Sequence, residues 1–152
     1  NSWARALPTA ALGDTTKAPI QGLVTSLQSL SYRMNTLLKV RTDDQSDIIV
    51  RELREDVRSW RSKVQEIFAR LATEPEAADY SRYRSRLDST LEHLEARIEE
   101  TLVHADAQSV SAEHGESMYR LLGAHRGVSE ALVESAEQAA TIDWAHLRES
   151  RF

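Results

Sequence analysis

The chain has 152 residues, 41% hydrophobic and 28% charged, with net charge −5 and no cysteine. That length suits one domain with its own core, the acidic balance argues against nucleic acid as a partner, and the lack of cysteine excludes disulfides and thiolate metal sites. No apolar run approaches the roughly 18 residues of a membrane span, and no signal-peptide pattern opens the sequence.

Residues 1–18 read as an N-terminal lead-in. Pro19 suits a first helical turn, and Ile20, Leu23, Val24, Leu27, Leu30, Met34, Leu37 and Leu38 recur at threes and fours, which predicts a helix near 19–41. Thr42 with Gln45 resembles a capping box before a second helix near 45–72. Its Val50, Leu53, Val57, Trp60, Val64, Ile67, Phe68 and Leu71 come close to a strict heptad. Thr73, Pro75 and Glu76 repeat the boundary logic for a third helix near 75–105, striped by Tyr80, Tyr83, Leu87, Leu91, Leu94, Ile98, Leu102 and Ala105. After the small, polar stretch ADAQSVS, Ser109 or Ser111 can cap a fourth helix near 112–141, with Met118, Leu121, Leu122, Val128, Leu132, Ala136 and Ala139 on one face. Each stripe is one buried helix face.

Glycine is absent between Gly22 and Gly115, and Pro75 is the only proline there, which leaves little room for a sheet and its turns. Short links make sequential helices antiparallel. The fold expected is therefore all-α: an up-down-up-down antiparallel four-helix bundle over 19–141 with a short C-terminal tail over 142–152. Leu27, Leu53, Val57, Trp60, Leu91, Leu94, Ile98, Leu121 and Leu132 should be buried in it. A longer helical hairpin array completed by a second chain is the competing arrangement.

Chemistry is sparse. A di-iron bundle needs Glu-x-x-His pairs, but Thr90, Thr101, Ser111, Leu122 and Asp143 precede the five histidines by three residues. Asp143-x-x-His146 is a lone pair in the tail. His125 sits on the apolar stripe, where a hydrogen-bonded core or boundary histidine is the favoured reading. No phosphate-binding glycine loop or nucleophile elbow is present. The expectation is a non-enzyme with no metal and no cofactor.

Charge is better patterned. Arg51, Arg54, Arg58 and Arg61 make a basic stripe on the second helix, and Asp88, Glu92, Glu95 and Glu99 an acidic one on the third. Folding the two helices about Thr73 would set Arg51 beside Glu95 and Glu99, Arg54 beside Glu92, and Arg58 and Arg61 beside Asp88. The rival readings are two solvated faces, since exposed pairs contribute little, or a basic strip that binds a ligand.

Gly123 and Gly127 stand four apart inside the fourth helix, where each costs about 1 kcal/mol relative to alanine. On a helical wheel they fall opposite the apolar stripe, beside Tyr119, Glu130 and Glu134, as a shallow notch in a polar face. A tolerated or bent helix is one reading. The functional alternative is a docking surface of Tyr119, Gly123, Arg126, Gly127, Glu130, Trp144 and Phe152, met by the tail or by another protein part. Asp143 is a plausible N-cap for the tail, whose Trp144, Leu147 and Phe152 are too few for a core helix.

MYRLLGAHRGVSEALVESA, with IDWAHLRESRF after it, resembles the C-terminal soluble region of FUSC family bacterial inner-membrane proteins, the fusaric acid resistance or aromatic acid exporter group. The matching residues are Tyr119, Leu121, Leu122, Gly123, Arg126, Gly127, Glu130 and Ala131, then Asp143, Trp144, Arg148, Glu149, Arg151 and Phe152. LQSLSYRMNTLL and VRELREDVRSWR are similar to earlier parts of that region, less specifically. His125 departs from the larger aromatic or aliphatic residue expected there. The resemblance implies a non-catalytic helical domain attached to a transport-type membrane part, serving assembly or regulation of aromatic acid or drug export. Its partner would be its own membrane-spanning region, with homo-oligomerisation open and no nucleic acid. Arg5, Lys17, Arg33, Lys39 and Arg41 against Asp14 alone in the first 42 residues fit a membrane-proximal start, and basic residues near a span favour the cytoplasmic side, with the periplasmic side as the alternative. A periplasmic four-helix sensor domain and a free-standing helical adaptor are the rival functions.

Overall fold

The computed structural model describes residues 9–43, 47–104 and 112–150. Four long helices carry the fold: α1, Thr9–Asp43; α2, Asp47–Thr73; α3, Tyr80–His104; and α4, Ala112–Ala140. A single 3-10 turn, Pro75–Ala77, precedes α3, and a short α5, Trp144–Ser150, follows α4. No strand occurs among the described residues, so the all-α bundle read from the apolar spacing is the architecture found.

Cross-helix contacts set the directions. Glu66–Arg86 and Asp56–Arg97 join α2 to α3, Glu95–Arg126 and Arg84–Glu137 join α3 to α4, and Gly22 faces Gln138 while Arg33 faces Gly127 between α1 and α4. In every set one residue number rises as its partner's falls, so all three helix pairs are antiparallel. The packing order runs α2, α3, α4, α1, and the backbones of α1 and α2 scarcely approach each other. A bundle closed on all four sides would pack that pair too. Here one seam is open.

Leu53, Leu87, Leu94, Ile98, Met118, Val128 and Leu132 are fully buried along the bundle axis. Of the side chains expected in the core, Leu53, Trp60, Leu91, Leu94, Ile98, Leu121 and Leu132 are buried and Val57 is half-buried. Leu27 is a correction: it remains 45% exposed. It lies on the apolar stripe of α1, but that stripe meets α4 along one edge and the open seam along the other.

α4 is the hub. Its buried residues surround the helix and include Gly115, Ser117, Gly127, Ser129, Ala131, Ser135, Ala136 and Ala139. Small side chains let α1 and α3 both press against its backbone. The buried hydroxyls of Ser129 and Ser135 are satisfied by the carbonyls of His125 and Ala131, one turn back. This corrects the wheel-based notch. Gly127 is buried, and a Cβ there would stand 3.1 Å from Nη1 and 3.4 Å from Cδ of Arg33. Gly123 alone faces open space, with nothing within 4 Å of its Cβ position. Gly123→Ala should therefore stabilise the fold by about 0.5–1 kcal/mol, the helix-propensity gain with no steric charge against it. Urea unfolding of the variant checks this, and a loss of stability would show that Gly123 is covered.

Several boundaries differ from expectation. α1 begins ten residues before Pro19, which lies inside it. One missing backbone donor is tolerated there, and helix formers such as Ala10, Ala11 and Leu12 extend the helix beyond it. Thr42 belongs to the last turn of α1, and α2 starts at Asp47; Gln45, Ser109, Ser111 and Ala105 lie outside the described residues. Thr73 donates backward to the Ala69 carbonyl, and Asp79 caps α3 by accepting from the Arg82 amide at 3.1 Å. The Asp143 cap holds: its Oδ1 accepts from the His146 amide at 2.9 Å.

The register between α2 and α3 is also corrected. The 3-10 turn and Asp79 lengthen the link, so the Glu66–Arg86 and Asp56–Arg97 pairs are centred near Glu76 and not at Thr73. The pairs that form have the opposite polarity to those expected, with carboxylates on α2 and arginines on α3. Among the described residues, Arg51 and Arg58 pair only with Glu52 and Glu55 of their own helix. The basic stripe of α2 does not set the register with α3.

Candidate functional site

The basic stripe turns the other way. The core face of α2 presents Leu53, Trp60, Val64 and Ile67 to the bundle interior, which leaves Arg54, Arg58 and Arg61 along the edge beside the open seam. There they line a cavity of about 240 Å³ together with Val40 and Arg41 from the last turns of α1, and Ser117 and Leu121 from α4. Ile49, Val50, Leu53 and Val57 complete an aliphatic wall. Three helices thus build a half-open groove with four guanidinium groups and an apolar lining.

Counter-ions are unevenly spread. Arg84, Arg86, Arg97, Arg126 and Arg148 each pair with a carboxylate from another element. Among the described residues Arg41, Arg54 and Arg61 form no ion pair, and Arg58 has only exposed Glu55 at 3.7 Å. In a chain of net charge −5, four arginines thus share this cavity with one carboxylate partner among the described residues.

Beneath the groove lies a polar cluster. His125 is fully buried, and its Nδ1 sits 2.8 Å from the Leu121 carbonyl. A carbonyl only accepts, so Nδ1 carries the proton. Trp60 meets the imidazole edge-on, with centroids 4.4 Å apart and planes at 73°, and its Nε1 donates to Ser129 Oγ at 2.7 Å. Burial pushes the His125 pKa down to about 4, opposed by the Leu121 hydrogen bond and aided by the charges of Arg41 and Arg61. The ring is therefore neutral near pH 7. Its Nε2 is buried without a hydrogen-bond partner among the described residues. This matches the core histidine favoured from the sequence. Ser129→Ala would strand the Trp60 indole N–H and should cost about 1–3 kcal/mol; thermal unfolding of that variant, against an exposed control such as Ser62→Ala, measures it.

The other end of the seam is apolar. Leu23, Leu27 and Leu30 of α1, Phe68 and Leu71 of α2 and Leu132 of α4 line a second cavity of about 240 Å³. Trp144 closes part of it and donates from Nε1 to the Ala139 carbonyl at 2.9 Å. Arg148 pairs with Glu76 at 3.2 Å, which ties α5 to the turn before α3.

The residues singled out as a docking surface are dispersed. Tyr119 and Gly123 are exposed, while Gly127 lies under Arg33. Arg126 pairs with Glu95 at 3.6 Å and, with Glu130, borders a groove shared with Arg84 and Asp88 of α3. Trp144 packs at the apolar end of the seam, away from both glycines; Phe152 lies outside the described residues. Only Arg126 and Glu130 share one groove.

Arg41 was missed as a partner of the α2 arginines. Its signal was available, since it falls in the last turn of α1 beside the short link to α2. The stripe of Arg54, Arg58 and Arg61 defines a flank of α2, but periodicity within one helix does not say which neighbour faces that flank. No protein-family model matches this chain, and neither a curated protein nor a solved structure matches it.

Proposed function

We propose that this chain is a non-catalytic helical domain of a FUSC-type bacterial inner-membrane exporter, on the cytoplasmic side, where it serves assembly or regulation of aromatic acid or drug export. The observation that carries the reading is the place of its most specific segment: Met118–Ala136 forms most of α4, the helix on which α1 and α3 both pack. Leu121, Leu122, Gly127 and Ala131, all within the resemblance, are buried in that hub. A scaffold role is further supported by His125, which is closed to solvent and engaged with Leu121 and Trp60. None of the described helices is long and apolar enough to cross a membrane, so this reading places the spanning part outside these residues.

Expression of the whole gene in bacteria, with membrane fractionation and a fusaric acid tolerance assay, tests the proposal. The product should fractionate with the inner membrane, and deletion of residues 19–141 should lower tolerance. Recovery of the chain as a separate soluble product, with tolerance unaffected by its deletion, would overturn it.

A further inference from the structure

We propose that the groove between α1 and α2 is a binding site for a small organic oxyanion, a carboxylate or phosphate carried on a short aliphatic body. This goes beyond the exporter-domain reading and stands without it.

The charge distribution is the first ground. Arg54, Arg58 and Arg61 recur at four and three on α2, so their side chains rise from one edge of the helix. Arg41 reaches the same cavity from α1. Like charges gathered at one cleft repel, and neither of the other two cavities described gathers four arginines. Arg33, Arg70 and Arg82 stand singly, while Arg84, Arg86, Arg97, Arg126 and Arg148 are neutralised by carboxylates of other elements. Arg41, Arg54 and Arg61 have no such partner among the described residues. An oxyanion would supply the missing negative charge, and guanidinium groups bind carboxylate and phosphate oxygens in a bidentate fork.

The lining is the second ground. Val40, Ile49, Val57 and Leu121 are aliphatic, and none of the described residues that line the cavity is aromatic. There is no stacking platform for a flat ring. The volume, about 240 Å³, lies below the usual range of about 300–1,000 Å³ for drug-sized ligands. At about 30 Å³ per water-sized unit, the groove encloses on the order of eight non-hydrogen atoms, enough for an oxyanion headgroup and the first few carbons, and its open mouth leaves room for the rest of the chain. Local rigidity is the third ground. Leu121 anchors the groove to the buried His125–Trp60–Ser129 cluster through its carbonyl, so the floor is formed before a ligand arrives.

Calorimetric titration of the 152-residue chain in low-salt buffer tests the site with four probes: octanoate, octyl phosphate, octanol and inorganic phosphate. Saturable binding is expected for octanoate or octyl phosphate, at least tenfold tighter than for octanol or inorganic phosphate. The tighter of the two anions identifies the headgroup. Arg54→Gln/Arg61→Gln should weaken that binding at least tenfold, and Arg41→Gln, on the facing helix, should weaken it too. Arg51→Gln, outside the cavity lining, should leave it unchanged. These positions are at the surface, and circular dichroism checks that each variant is folded. Absence of saturable binding by either anion at millimolar concentration would overturn the proposal. So would binding of octanol as tight as that of the anions, or wild-type affinity in the folded double variant.

Discussion

Leu94→Ala should lower the unfolding free energy by about 2–5 kcal/mol, the range for truncating a buried leucine whose surroundings cannot collapse onto the gap. Leu94 is at 0% exposure in the middle of α3, among the bundle's fully buried side chains. The informative comparison is Leu27→Ala. Leu27 has the same chemistry and also sits on an apolar helical stripe, but it is 45% exposed and borders the open seam. Its truncation leaves a space already connected to solvent and should cost less than about 1 kcal/mol. Urea unfolding of the two variants side by side separates a packed axis from an unpacked seam. Equal losses would mean that α1 and α2 close on each other.

Acidification should cost the protein about 3 kcal/mol through His125 alone. The folded-state pKa is lowered from 6.5 to about 4, so between those values the unfolded chain binds a proton that the folded chain refuses. Stability from this group is complete above about pH 6.5 and is lost as pH falls toward 4, at about 1.36 kcal/mol per pH unit. Burial is the main cause, and the nearby Arg41 and Arg61 charges add to it against the Leu121 hydrogen bond. Carboxylate ion pairs also titrate in acid, so the measurement is a difference. Wild type should lose about 3 kcal/mol more than His125→Gln between pH 7.5 and 4. Parallel pH profiles for the two proteins would show that the imidazole can be protonated in place.

Much of this architecture is legible in the sequence because it depends on period alone. The stripes through Leu53 and Trp60, Leu91 to Ile98, and Leu121 to Leu132 place their helices and most of their core residues. What depends on the azimuth of one helix about another is not legible. The wheel position of Gly127 is opposite the main stripe, yet α1 covers it, because a central helix has neighbours on more than one side. The better clue was composition: Gly115, Ser117, Ser129, Ala131, Ser135, Ala136 and Ala139 keep α4 slender over most of its circumference. The α2 arginines show the same limit. Their spacing is unmistakable, but the 3-10 turn at Pro75–Ala77 moves the α2–α3 register by about one and a half helical turns, and the stripe faces the seam. Leu27 shows it again, since an apolar stripe marks a face that could be covered and not one that is.

The claim on which the groove depends is that α1 docks on α4 and leaves its seam with α2 open. The chain has no cysteine of its own, so paired substitutions introduce the only thiols. Gly22→Cys with Gln138→Cys spans the close α1–α4 approach, and Leu27→Cys with Leu71→Cys spans the seam. A disulfide needs Cα atoms about 4.4–6.8 Å apart. Under mild oxidation at low protein concentration, the first pair should form an intramolecular disulfide and the second should remain reduced. Rapid oxidation of the cross-seam pair, with the α1–α4 pair left as free thiols, would contradict this arrangement and the groove with it.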